Sequence, residues 1–297
     1  MNAALLILPN FVLIVVGLAL ARRFGYGLDF WSGLEKLVYY VLFPALLFRS
    51  LATAKIDLSQ TGWLVVAACA FTVAGFLLSI AAKPVLRLDQ QLHATASQCG
   101  YRFNTYIGLA VAGSLFGGQG VALAALLLGA MIPLANLGAV AVLASQSERG
   151  FLAELVQHPL VVSSLAGFAW NIAGLPLPGF ADQTLSLLGQ TALPAGLLSV
   201  GAAMRLERGQ GPVSAHAWYL AVKLIAVPAI AWGLARMMGL QETEARVLVL
   251  CAALPTATNA YILAVRMTGD GRAVATQVTA GTVLSMVSLP LWMAVPL

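Results

Sequence analysis

The chain has 297 residues, of which 60% are hydrophobic and 9% charged, with a formal net charge of +5. A soluble α/β protein would break its apolar residues into runs of about 4–8 between polar helix faces. Here the apolar runs reach roughly 17–25 residues, enough to cross about 30 Å of hydrocarbon. The composition therefore excludes an ordinary soluble domain, and the excess of Lys and Arg records membrane topology, not affinity for nucleic acid.

Ten spans are predicted, and their order frames the rest. The first, about 3–21, starts without a basic n-region and is expected to be retained, not cleaved as a signal peptide. The second, 32–53, holds Phe43-Pro44-Ala45-Leu46-Leu47, and the third, 62–82, has Trp63 near its start. The fourth, 91–114, is interrupted half-way by Arg102-Phe103-Asn104-Thr105-Tyr106-Ile107-Gly108, and Gly117-Gly118-Gln119-Gly120 separates it from the fifth, 120–144. Residues 146–157, with Glu148, Arg149 and Glu154, read as a short cytoplasmic surface helix joining two halves, 1–145 and 158–297. The sixth span, 158–175, is followed by the seventh, 183–204, which carries Leu193-Pro194-Ala195-Gly196-Leu197. The eighth, 214–236, contains Trp218 and Lys223. The ninth, 244–267, is interrupted by Pro255-Thr256-Ala257-Thr258-Asn259-Ala260-Tyr261-Ile262, and the tenth covers 272–296.

The two interruptions repeat Asn-(Thr/Ala)-Tyr-Ile at a spacing of 155 positions, and Trp63 and Trp218 share that spacing. The proline motifs around Pro44 and Pro194 repeat at 150. Five spans per half is an odd number, so two such halves enter the membrane in opposite senses, the inverted repeat of secondary transporters. Ten spans place ten Lys and Arg residues at one face and four, Arg49, Lys55, Arg236 and Arg246, at the other. The rule that positive loops stay inside then puts both termini outside the cytoplasm, in a bacterial inner membrane.

Two cations remain inside spans. Arg102 lies about 11 residues into span 4, near the bilayer centre, where an arginine costs at least about 2.5–3.5 kcal/mol. Either it ties down carbonyls of a broken helix or its fork receives an anionic substrate. Lys223 has the same two readings, with snorkelling or a helix carbonyl as the plainer one. Asn104, Thr105, Thr256, Thr258 and Asn259 bring amides and hydroxyls to the interruptions, where they hold backbone freed by the breaks, bind ligand, or both. Pro255 deletes a backbone donor there, and Tyr106 and Tyr261 either pack or line the site. Pro44 and Pro194 are expected to bend their spans. His93, His158 and His216 sit near span ends. All eleven acidic residues lie in loops or near span ends, which leaves no midplane carboxylate for a conventional proton relay. Cys69, Cys99 and Cys251 lack metal-ligand spacing, no cofactor is expected, and the sequence carries none of the common hydrolase or metalloenzyme motifs.

These stretches, with His158-Pro159-Leu160-Val161-Val162, Leu175-Pro176-Leu177-Pro178 and Lys223 to Pro228, resemble the auxin efflux carrier family. The similarity reaches bacterial members described as malonate permeases and, distantly, plant PIN-type auxin transporters. It implies an all-α integral membrane fold of ten helices in two inverted five-helix repeats, with helices 4 and 9 broken and crossing near the midplane. It also implies transport of organic anions by a moving scaffold-and-crossover arrangement. One departure is that Leu109-Ala110-Val111 lacks the proline relatives often carry after the Asn, so a break in span 4 rests on Gly100, Gly108 and Asn104.

The expected function is a secondary transporter of small carboxylates working by alternating access in the bilayer, either proton-linked or uncoupled. A proton would ride on the substrate, on His93 or on Lys223. Sodium symport, held by neutral oxygens around Pro255, Thr256, Thr258 and Asn259, ranks lower because Arg102 would repel the ion. A non-transporting anion receptor and an intramembrane enzyme are the alternatives from other classes. A homodimer is compatible with the sequence, which leaves substrate and direction of flux open.

Overall fold

The computed structural model describes residues 3–54, 58–143, 159–204, 211–257, 259–268 and 271–297, all helix or connecting turn with no strand among them. The expected linker helix at 146–157 lies outside the described residues. Helix α1 covers Ala3–Arg23, α2 Leu28–Leu37, α3 Phe43–Ala52, α4 Leu58–Leu86, α5 Gln90–Ala96 and α6 Thr105–Leu143. After the linker, α7 covers Pro159–Ile172, α8 Gly179–Ala203, α9 Val213–Ala221, α10 Val227–Met237, α11 Glu242–Ala253, α12 Asn259–Thr268 and α13 Arg272–Ala294.

Six stretches among the described residues are long and apolar enough to cross a membrane. Leu77, Leu165, Leu187, Ile225 and Val287 are each more than half exposed, as hydrocarbon-facing side chains are and a soluble core is not. The longest stretch, Gln90–Ala139, is not one rod. It is interrupted at Tyr101–Asn104 and again at Gly117, whose φ of 61° and ψ of −151° only glycine adopts freely.

Two interruptions are milder. Wide π turns at Val38–Leu42 and Val222–Ala226 join α2 to α3 and α9 to α10. Each is followed two residues later by a proline, Pro44 or Pro228, which has no N–H for the carbonyl four residues back. For Pro228 that carbonyl is Leu224, and the indole N–H of Trp292 on α13 donates to it at 2.8 Å. Pro194, by contrast, lies inside α8, which continues across it.

The chain divides into two compact units. The first comprises Met1–Leu58, Tyr106–Gly129 and Arg149–Ala203. In it α1 packs on α8, and α3 packs on α7 and α8. Glycines set these approaches: a side chain at Gly17 would strike the Leu198 carbonyl, and one at Gly167 would come within 2.5 Å of the Phe48 carbonyl. Arg49 donates from Nε and Nη2 to both oxygens of Asp182, at 2.7 and 3.1 Å. Asn171 caps the end of α3, donating to the carbonyls of Ala52 and Ala54 at 3.2 and 2.7 Å.

The second unit comprises Ser59–Thr105, Ala130–Glu148 and Met204–Leu297. Trp218 Nε1 donates to the Leu78 carbonyl at 3.0 Å, pinning α9 to α4. Tyr101 packs edge-on against Phe76 on α4, and its ring also fills the space beside Gly138.

Candidate functional site

The second unit holds both interrupted motifs. After α5 the chain tightens into a 3₁₀ turn, Ser97–Gly100, and then runs without helix through Tyr101–Asn104. Gly100 is needed there, since a Cβ would collide with the Ser79 hydroxyl on α4. The break is thus real without a proline, and it falls at Tyr101–Asn104; Gly108 lies within helix. In the second motif α11 ends at Ala253 because Pro255 pushes Leu254 into an extended conformation, φ −62° and ψ 139°. The non-helical run continues through Leu254–Ala257, and Asn259 opens α12.

A broken helix inside a membrane must pair the backbone groups it frees. Here the two breaks pair each other. The Asn104 N–H donates to the Pro255 carbonyl at 2.8 Å, and Thr256 Oγ1 donates to the Cys99 carbonyl at 2.6 Å. Lys223 Nζ donates to the Ala252 carbonyl at 3.0 Å, an acceptor that the end of α11 leaves without a helical donor.

Arg102 is 8% exposed and forks onto two amide side chains. Nη1 donates to Gln98 Oε1 at 2.9 Å and Nη2 to Asn136 Oδ1 at 3.0 Å. Gln98 is fully buried and fixed in turn, its Nε2 donating to the Thr95 carbonyl at 3.0 Å. Both amide oxygens orient the guanidinium without neutralising it.

Arg102, Asn104, Thr105, Lys223, Pro255, Thr256, Asn259 and Tyr261 therefore all belong to this one unit. Tyr106 belongs to the other, stacked on Phe43 with ring centroids 4.6 Å apart and planes 8° from parallel. Tyr261 packs on the cluster of Cys99, Ala260, Ala264, Val274 and Val278. Thr258 and His158 lie outside the described residues. His93 is buried, its Nδ1 3.0 Å from the Tyr219 hydroxyl. Sequence reasoning missed Gln98 and Asn136. The four-residue spacing of Gln98 and Arg102, one turn of helix, was a readable signal, whereas Asn136 stands 34 positions away.

A bundle of apolar helices with a buried guanidinium beside two interrupted helices whose breaks pair each other has the parts of a solute carrier. The chain belongs to the auxin efflux carrier family of membrane transport proteins: residues 144–293 match the family model described as "Membrane transport protein". It is 28% identical over 295 residues to an "Uncharacterized transporter" of Methanothermobacter thermautotrophicus, covering 97% of each chain. It is 24% identical to a "Putative malonate transporter" of Rhizobium meliloti, over 87% of this chain and 84% of that one. To "Auxin efflux carrier component 3a" of Oryza sativa subsp. japonica it is 27% identical over 37% of this chain and 19% of the rice protein. These are transporters, not enzymes.

Proposed function

We propose that the protein carries small organic carboxylates across the bacterial inner membrane by alternating access, proton-linked or uncoupled. The observation that carries this reading is Arg102, buried beside the crossing and pre-oriented by Gln98 and Asn136 as a fork for a carboxylate. Asn104, Thr105, Thr256, Thr258 and Asn259 supply the neutral polar surroundings, with Pro255 holding the break and Lys223 a second cation. Tyr261 bounds them as a packing aromatic, and Tyr106 is proposed from the repeated Asn-(Thr/Ala)-Tyr-Ile motif. The relative named for malonate fits an anionic substrate of this size.

Counted through their breaks, the helical segments make ten crossings, and we read them as two inverted repeats. In support, Gly17 meets the Leu198 carbonyl and Gly167 meets that of Phe48, so both partners of the contact recur 150 positions apart. Sodium coupling ranks below proton coupling because Arg102 would repel the ion and the carbonyls freed at the breaks already accept hydrogen bonds that a cation would compete with. Those of Cys99, Ala252 and Pro255 accept from Thr256, Lys223 and Asn104.

The test is uptake of labelled malonate and other mono- and dicarboxylates into proteoliposomes, with pH and sodium gradients imposed separately. Saturable accumulation is expected. Binding without accumulation under any gradient would make the protein a receptor, and uptake driven by sodium but indifferent to pH would reverse the coupling order.

A further inference from the structure

Several buried polar groups of the second unit fall into one line. His216, Tyr219 and Lys223 follow one another at spacings of three and four, so they share one face of α9 and its π-turn continuation. At the end of the unit where α5, α9 and α13 begin, Gln277 Nε2 lies 3.1 Å from His216 Nδ1 and donates to the His216 carbonyl at 3.2 Å. One turn further in, the fully buried Tyr219 hydroxyl meets His93 Nδ1 at 3.0 Å. His93 is 4% exposed, and Ser97, which opens the 3₁₀ turn after α5, follows it by four residues. The line ends at Lys223, 2% exposed, on the Ala252 carbonyl. Ser97 Oγ and Gln277 Oε1 are buried with no hydrogen-bond partner among the described residues. Polar atoms in that condition are costly in a dry core, and an ordered water beside them would satisfy them.

We propose that Lys223 is the group that takes up and releases the coupled proton, and that His93 and Tyr219 are its route from the end of the unit. This rests on the reading of the protein as a carboxylate carrier and names the site of its coupling. Protonated His93 gives its proton to the Tyr219 oxygen as the hydroxyl passes its own proton toward the Lys223 amine. Lys223 becomes ammonium and the imidazole is restored neutral. The return runs the same bonds backwards. Tyr219 and Lys223 are one turn apart, with Cβ atoms about 5–6 Å from each other, and the transfer requires water between hydroxyl and amine.

The surroundings suit a group that changes charge. Facing Lys223 is Cys251 from α11, and Tyr219 precedes it by one turn on its own helix; the turn Ser97–Gly100 packed beside it carries Cys99. Helix α10 carries Arg236 only in its last turn and α13 Arg272 only in its first. The acidic residues of α11, Glu242 and Glu244, are confined to its first turn, far along the helix from Ala252. Lys83 lies within electrostatic reach of His93 at the entrance. Among the described residues no carboxylate is hydrogen-bonded to Lys223. The ammonium is therefore stabilised most when an anion is bound nearby, which links proton uptake to substrate binding.

The experiment uses the purified protein in proteoliposomes with malonate as the probe and compares uptake with and without an inside-alkaline gradient. In the wild type the gradient is expected to raise initial uptake several-fold. In Lys223→Arg, whose guanidinium keeps its proton throughout, that stimulation should disappear, and Tyr219→Phe should reduce it. Undiminished stimulation in Lys223→Arg overturns the proposal. If that variant does not fold, proton uptake on malonate binding, followed with a pH dye in weak buffer, is compared between wild type and Lys223→Gln. Equal uptake overturns the proposal, and its loss supports it. A wild type that accumulates malonate with no response to pH also overturns it and leaves the carrier reading intact. A wild type that neither binds nor accumulates any carboxylate removes both.

Discussion

Arg102 shows how a costly residue becomes useful. Its hydrogen bonds to the amide oxygens of Gln98 and Asn136 set its orientation before any ligand arrives. Removing a charge-assisted bidentate contact costs about 1.5–3 kcal/mol, so Arg102→Gln should weaken carboxylate binding about 10- to 150-fold. Arg102→Lys keeps the charge and loses the fork, and should recover only part of that loss. Thermal shift against a carboxylate series measures both, and unchanged affinity in Arg102→Gln would make the residue structural. Gln98→Leu tests orientation separately. It should weaken binding in the wild type and have little further effect in the Arg102→Gln background, a coupling that a double-mutant cycle reads. Arg102, Lys223 and Asn104 were legible in the sequence because charge or amide stands out in an apolar run. Asn136 was not, since an amide in a span is cheap enough to be unremarkable until its partner is known.

At the scale of elements, each interruption has a chemical cause of a different visibility. Pro255 announces its break by deleting a donor, and Gly117 sits in a run of small residues that reads as a turn. The break at Tyr101–Asn104 was less legible, for it depends on Ser79 leaving no room beside Gly100. The π turns escaped sequence reading altogether. They depend on where the carbonyl orphaned by a proline finds a donor, and for Leu224 that donor comes from 68 positions away, on Trp292. Trp292→Phe should therefore destabilise the protein by about 1–3 kcal/mol, the cost of an unsatisfied buried acceptor. Adding Pro228→Ala restores an N–H that can serve the same carbonyl, so the double variant should lose less. Thermal melting in detergent decides between them, and additive losses would show that the indole matters through packing alone.

For the whole molecule, the positive-inside argument becomes a labelling experiment. In a background where Cys69, Cys99 and Cys251 are replaced by alanine, Tyr26→Cys should react only from the cytoplasmic side and Leu175→Cys only from outside. The reverse result would invert the topology, and labelling of both from one side would sink the count of ten crossings. The inverted-repeat reading also gives a history to the paired glycines of the first unit. On that reading, in an ancestor made of one half, inserted in both orientations and dimerising with its upside-down copy, Gly17 and Gly167 would have been a single codon. The carbonyls of Phe48 and Leu198 would likewise have been one group, met twice across a twofold axis. One substitution there would have been paid for at two contacts at once. After fusion the two halves would have been free to drift apart in sequence. A backbone carbonyl pressed against a backbone leaves no alternative side chain to drift to, so the two glycines persist as a relic of the time when each contact was made by strangers.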